Sequence, residues 1–544
     1  MGAAGLSPLG KRLGPSNSAK PLMHAFNPMR ARRGNKRLCL LLVLPLIAMF
    51  YLNGQLKQYH RVPIVQDEQP VNITPELSGN RKLVVILPAD QPGPDLCKVV
   101  SSAMVLGYPA PIIVNWKRES PSDDEGVGPA QPGTVSGTLH FLDWAANANN
   151  TDDKLTEDDL VLVLDANSVW LQLPPSLVLE RYFRINTRAN NRITQLYDTQ
   201  VPDLMSQTII APAQKACVAP SGSASNLHCH DVPESTLPTN VYGPLTDYRA
   251  MGWKYVRPKY INDGNFMGPA GDMRRLFRRV KDKMNQDMVK PGPNHQVRQH
   301  QGVFSQVFGE QEVWRRATGG RYPPEDPAKM KAARDEFEYH VGLDYTQDLF
   351  HPTCYAESDG SFIALADEEV AKKESSRRGS SPPRIQTPGD VAKLDNPLAM
   401  FGDGFSQARY GSANVPLYTD LLTTSVPVAI HHGTTRTGLK ERRVTWWDKT
   451  WYFPYLRMLL DISIYADGSD PLASFTTGNN TLQVWGYGST RHPRLPKLFA
   501  REEHTEEWVL QDALWNAICA SADAMVEGSS PWYNEVFRDG KGPL

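Results

Sequence analysis

Short apolar runs with helical stretches between them confine this chain to an α/β fold. "RKLVVILPAD" (Arg81 to Asp90), "APIIVNW" (Ala110 to Trp116), "DLVLVLDA" (Asp159 to Ala166) and "QTIIAPA" (Gln207 to Ala213) are too short for helices and rich in Val and Ile. Each stops on Pro, polar or turn-forming residues, as buried strands do. "GTLHFLDWAANA" between the second and third reads as a helix. Strands alternating with helices predict a mostly parallel sheet with crossover helices. Ligands collect beyond the carboxyl ends of such strands, where loops converge. Asp165 stands at one of those ends and His431 at another, since "SVPVAIHH" (Ser425 to His432) is a further strand, closed by two histidines and Gly433.

The amino-terminal part has a different character. There is no acidic residue before Asp67, while Lys11, Arg12, Lys20, Arg30, Arg32, Arg33, Lys36 and Arg37 are basic. "LCLLLVLPLIAMFYL" (Leu38 to Leu52) follows, uncharged and, with Asn53 and Gly54, long enough to cross a thin bilayer. Basic residues on its amino side keep that side cytosolic. The expected organisation is a basic cytosolic tail (1–37), a signal anchor (38–54), a stem (55–80) and a luminal body, a single-pass type II protein of the Golgi or endoplasmic reticulum membrane. The long basic segment and the absence of an A-x-A pattern argue against a cleaved signal peptide.

A luminal body gives meaning to three glycosylation triplets, at Asn72, Asn149 and Asn479. Beyond the anchor the cysteines are Cys97, Cys217, Cys229, Cys354 and Cys519, and Cys217 with Cys229 brackets a Ser/Gly/Pro-rich loop as the best pair. No C-x-x-C occurs, and a net charge of −1 calls for no nucleic-acid partner. The stretch 368–396 is poor in large apolar residues and rich in Ser, Pro and charge, so it reads as a disordered insertion. "EEWVLQDALWNAICASADAM" has apolar residues at helical spacing, so residues 468–544 read as a helical extension of a domain spanning 81–467.

The order of these motifs resembles GT-A-fold glycosyltransferases. The strand ending in Asp165, then "YINDGNFMGP" (Tyr260 to Pro269), "HQGVFSQVFGEQ" (His300 to Gln311) and "VPVAIHHG" (Val426 to Gly433) follow the sequence of signatures in the glycosyltransferase domain of lysyl hydroxylases and the procollagen galactosyltransferase group. The resemblance covers about Lys82 to His432, motif by motif. It implies an α/β GT-A-like mixed sheet with flanking helices, a nucleotide-sugar donor, a glycan or glycoprotein acceptor, and a divalent metal of the manganese type. Asp165 and His431 would be its ligands. Asn262 and the Asp263-Gly264 backbone would line the donor sugar; Asp263, His300 and Gln301 would be the catalytic groups, Gln301 near the acceptor; Gly433 and Lys440 would meet the diphosphate.

Three departures stand against that pattern. The second carboxylate of the family's D-x-x-D is Ser168; the acidic positions of its D-D-Q are Gln299 and His300; its S-G-G is Asp263-Gly264-Asn265. Two readings therefore stay open: a transferase with a weakly held metal, or a GT-A-like scaffold or binding subunit without catalysis. Blander roles exist for the same residues. Asp165 can cap its turn, His431 can be a core histidine, and Gly264 can serve positive φ. The Arg-rich Met273 to Met284 can be a solvated helix face, and Trp446, Trp447 and Trp451 can be core.

Overall fold

The structure, a computed structural model, describes residues 78–116, 133–197, 205–217, 227–289, 300–318, 327–380, 386–398, 415–433, 439–502, 505, 507–520 and 531–544. The basic tail, the apolar run 38–54, Asn72 and nearly all of the stem lie outside them. Among the described residues no helix is long and apolar enough to cross a membrane.

Among the described residues sixteen strands carry the architecture. In chain order they are β1 (Gly79–Pro88), β2 (Ile112–Val114), β3 (Leu160–Leu164), β4 (Val169–Leu171), β5 (Ile209–Gln214), β6 (Tyr260–Ile261), β7 (Asn265–Pro269) and β8 (Val341–Asp344). Then come β9 (Phe350–Pro352), β10 (Gly360–Ile363), β11 (Leu417–Asp420), β12 (Ala429–His431), β13 (Ala473–Thr477), β14 (Asn480–Gly486), β15 (Lys497–Arg501) and β16 (Trp508–Asp512). The main sheet runs β16-β15-β2-β1-β3-β7-β5-β6, with β14 added to β1 and β8 to β5. It is mixed: β2, β1, β3, β5 and β8 share one direction, and β7 is reversed between β3 and β5. That reversal brings the start of β7 to the carboxyl ends of β3 and β5.

The alternation of side chains along a strand divides the core into two layers. On one face Leu83, Val85, Leu160, Leu162 and Leu164 pack with helices 94–105 and 175–197. On the other, Val84, Ile86, Val161 and Val163 pack with helices 133–146, 270–289 and 300–318. A strand with helices on both sides has no solvated face, which is why "LVLVL" is apolar throughout. Each fully buried side chain there contributes about 1.5–3 kcal/mol.

Three sequence expectations change. The carboxyl-terminal region is not a helical extension: β14 pairs with the first half of β1 and β15 with β2, so 473–512 belongs to the same sheet. Trp508 to Leu510 was read at helical spacing, but Trp508 stacks on Phe499 across the β15–β16 pair at 4.8 Å. Among the described residues of this region the helices are the short Trp515–Cys519 and Trp532–Val536, and Cys519 forms a disulfide with Cys97. The stretch 368–396 is not a disordered insertion either. Glu368–Arg377 is a helix whose first turn is capped by the Asp367 carboxylate accepting Val370 N–H. Asp390 makes a bidentate pair with buried Arg181; residues 381–385 lie outside the described set. Finally Gly79 and Asn80, taken as stem, begin β1.

Other readings hold. Cys217 and Cys229 are disulfide-bonded, and Trp447 and Trp451 are buried in the core. On helix 270–289, Met273, Leu276, Phe277 and Val280 face inward, while Arg274 and Arg278 pair with Glu157 and Asp143.

Candidate functional site

Strand β3 stops because Asp165 turns the chain with its own side chain. Its Oδ1 accepts the Asn167 N–H at 2.8 Å and its Oδ2 accepts the Ser168 hydroxyl at 2.7 Å. The chain then enters β4, which pairs antiparallel with β12 in the register Val169↔His431. Ser168 C=O accepts His432 N–H at 2.7 Å and locks that register. The result is His431 Nε2 at 3.5 Å from Asp165 Oδ2, the histidine nearly buried at 7% and the carboxylate 30% exposed. The capping role and the meeting with His431 are both real; one carboxylate does both.

A second chain of contacts fixes the imidazole from behind. Asn262 is held by its N–H on Pro212 C=O at 2.9 Å and by its Nδ2 on Gln214 Oε1 at 3.0 Å, both at the end of β5. Its Oδ1 accepts the Gly264 N–H and the Nδ1–H of His431, each at 3.1 Å. With Nδ1 so occupied, Nε2 is turned toward Asp165. Orienting one ring nitrogen through the other is how ligating histidines are set. Gly264 is required for space and not for positive φ: a Cβ there would stand 2.2 Å from His431 Cε1.

The electrostatics follow from this packing. Burial by itself would raise the Asp165 carboxyl, but the His431 ring, the Asn167 N–H and the Ser168 hydroxyl outweigh it and bring it down to about 2. Asp263 goes the other way. Burial pushes it up, His431 offsets part of that, and the nearby Asp165 charge adds to it, leaving about 6. Asp263 has no cationic partner within ion-pair distance among the described residues.

The remaining sequence candidates are less complete. His300 opens helix 300–318, which packs through Phe304 on Phe266 of β7, with ring centroids 4.6 Å apart. The side chains of His300, Gln301 and Lys440 lie outside the description. Gly433 turns the chain after His432 with φ +52°.

Sequence reasoning missed two residues. Asn265 is fully buried, accepts Asp165 N–H at 3.3 Å through Oδ1, and leaves Nδ2 without a partner. Arg443 donates to Asn167 C=O at 2.7 Å and pairs with Asp95 at 2.9 Å, tying helix 439–445 to the Asp165 turn. Nothing in "KERRVTWW" marks which arginine does so.

As a metal centre the site is half built. Among the described residues there is no group of three or more His, Cys, Asp or Glu able to hold an ion. Asp165 Oδ2 and His431 Nε2 form an oxygen–nitrogen pair of the type first-row cations accept. At the third position after Asp165, Ser168 offers no carboxylate and its hydroxyl donates to Asp165. A cleft elsewhere in the molecule is bounded by Pro109, Tyr487, Arg491 and Arg494. No protein-family model matches this chain, and no curated protein matches it.

Proposed function

We propose that the protein is a GT-A-like glycosyltransferase that passes a sugar from a nucleotide-sugar to a glycan or glycoprotein acceptor. The observation that carries this reading is the meeting of Asp165 and His431 at the carboxyl edge of a mixed sheet, with Asn262 orienting the imidazole. The reversed strand β7, set between β3 and β5, which share one direction, supports the fold assignment, since its first residues lie where a donor would bind.

Asp165 and His431 would hold a manganese-type cation, and the donor's diphosphate oxygens would complete its coordination, as is usual where a protein offers one or two ligands. When bound, that cation supplies Lewis-acid neutralisation of the departing diphosphate. The chain's own groups do the rest. Asn262 and the Gly264 backbone position the donor sugar. Asp263, with its carboxyl raised by burial, would offer the donor sugar a proton or an electrostatic contact. The resemblance assigns His300 and Gln301 to the acceptor and Gly433 and Lys440 to the diphosphate. A luminal setting, anchored through residues 38–54, is supported by the two disulfides and by the exposure of Asn149 and Asn479 in turns.

Calorimetric titration with uridine diphosphate and manganese, followed by a nucleotide-sugar transfer panel, tests this. Wild type binds and Asp165→Asn does not. The scaffold reading rests on Ser168 and on the lack of a three-ligand group; it takes over if neither wild type nor Ser168→Asp binds nucleotide.

A further inference from the structure

At the edge of the β4–β12–β9 ladder three chain ends lie side by side. They are the Asn167-Ser168 turn before β4, His431-His432 closing β12, and Thr353 onward after β9, with Val169 and Pro352 both in register with His431. Helix Leu439–Thr445 spans this edge. Arg443 holds the first of the three ends through Asn167 C=O, and Arg442 holds the third through Glu357 C=O at 2.9 Å.

The two arginines differ in what balances them. Arg443 has Asp95. Arg442 lies over the Trp446 ring at 4.4 Å, has no carboxylate within ion-pair distance among the described residues, and its Nη1 is buried with no partner. Burial lowers it from the usual arginine range, offset only in part by Tyr418 and Glu357. The same edge holds other buried polar atoms without partners: Arg443 Nε, Thr353 Oγ1 and both ring nitrogens of His432. Such atoms are rare in folded proteins because each forgoes the hydrogen bonds it had in water. Several of them, mostly donors, on this helix and on the chain ends it bridges, beside a guanidinium with no carboxylate partner among the described residues, call for an acceptor that carries negative charge. A planar guanidinium stacked on an indole suits a phosphate oxygen in particular.

We infer that Arg442 is the anchor of an oxyanion subsite at this ladder edge, and that the oxyanion is the diphosphate of the donor. The inference rests on the transferase reading for the identity of the ligand. Diphosphate bound there would lie beside His431 and opposite the Asp165 turn. Ser168 leaves the cation one carboxylate short, and a fixed arginine makes up part of that deficit without metal.

The test is titration of the full-length protein with inorganic pyrophosphate in the absence of metal, then with uridine diphosphate and manganese. Wild type is compared with Arg442→Met, which keeps the length for stacking, with Arg442→Lys, and with Asp165→Asn. Thermal midpoints report folding. Arg442→Met is expected to weaken metal-free pyrophosphate binding about tenfold or more at an unchanged midpoint, and Arg442→Lys to recover part of it. Asp165→Asn should keep metal-free binding and lose the manganese-dependent gain. Equal pyrophosphate affinity in wild type and Arg442→Met, or none in wild type, overturns the subsite even if nucleotide and manganese still bind through Asp165. Loss in Arg442→Met with no manganese effect anywhere upholds the subsite and removes the metal reading. Should Arg442→Met lower the midpoint, Arg442→Lys alone decides: full retention of pyrophosphate affinity sinks the assignment, and a several-fold loss upholds it. A glucuronate arm separates the sources. Binding of glucuronate through Arg442 without binding of pyrophosphate would move the oxyanion to the acceptor and overturn the diphosphate assignment.

Discussion

Two acid–base pairs in this molecule have opposite designs. Arg181 with Asp390 is closed: both carboxylate oxygens meet the guanidinium at 2.9 and 3.0 Å, and the remaining nitrogen donates to Asp348 C=O and Val426 C=O. Asp165 with His431 is open. The two atoms stand 3.5 Å apart, the carboxylate is partly exposed, and a second carboxyl, Asp263, with no ion-pair partner among the described residues, lies in the same field. A pair that holds elements together uses every donor it has, whereas a pair kept for a ligand leaves capacity unspent. Perturbed carboxyls at a sheet edge, one lowered and one raised, carry the same meaning.

Breaking the closed pair should have the largest effect. Asp390→Ala leaves Arg181 buried without its counter-charge and should cost about 3–5 kcal/mol in denaturant melts. Burial alone would raise Asp390, but Arg181 and Arg184 hold it well below the usual carboxylate range. Its contribution is therefore complete above about pH 4, the unfolded value, and declines as pH falls toward the lowered folded value. The mutant's melts should lose that acid dependence.

The open pair is broken with less damage to the fold. In Gly264→Ala the new methyl meets the His431 ring, so the ring must leave its place over the backbone. Overpacking of this kind costs about 1–3 kcal/mol, and manganese-dependent nucleotide binding should vanish in calorimetry. Sharpening is the reverse experiment. Ser168→Asp replaces the hydroxyl on Asp165 by a second carboxylate and should strengthen manganese-dependent nucleotide binding by about 1–3 kcal/mol.

The smallest effect concerns Asp263. Because its folded value of about 6 lies above the unfolded one, its proton contributes stability that is full below about pH 4 and lost as pH rises through 6. Asp263→Asn should flatten stability between pH 4 and 6 when melts are compared across that window, and should leave the turn at Asn262 intact.

What was legible in the sequence follows from how local each signal is. β1, β2, β3 and β5 announced themselves as apolar runs, and the Asp165 turn and the strand ending in His431 were readable in place. The relay from Gln214 through Asn262 to His431 was not, because its partners are 48 and 169 residues apart and no spacing rule links them. The carboxyl-terminal strands were missed for a different reason. "ASFTTGNNTLQVWG" alternates in burial from Phe475 to Val484 around a Gly478-Asn479 turn, a hairpin pattern in principle, yet its strand faces are only half buried and the contrast is weak. The helix at 368–377 was hidden by composition, since charge and Ser suggested disorder while the Asp367 cap with acidic residues behind it argued for a helix start.

The pairing of β14 with β1 sets a schedule for biosynthesis. Leu83 waits for Gly486 as its parallel neighbour. At about 5–20 residues per second the ribosome needs on the order of 20 to 80 s to deliver that partner. Until then the first half of β1 has an open edge of the kind that recruits other strands. The disulfide between Cys97 and Cys519 is bound to the same clock, because its second thiol emerges later still. Cys97 thus has its partner 422 residues further along the chain, and the bond can close only after Cys519 has been made.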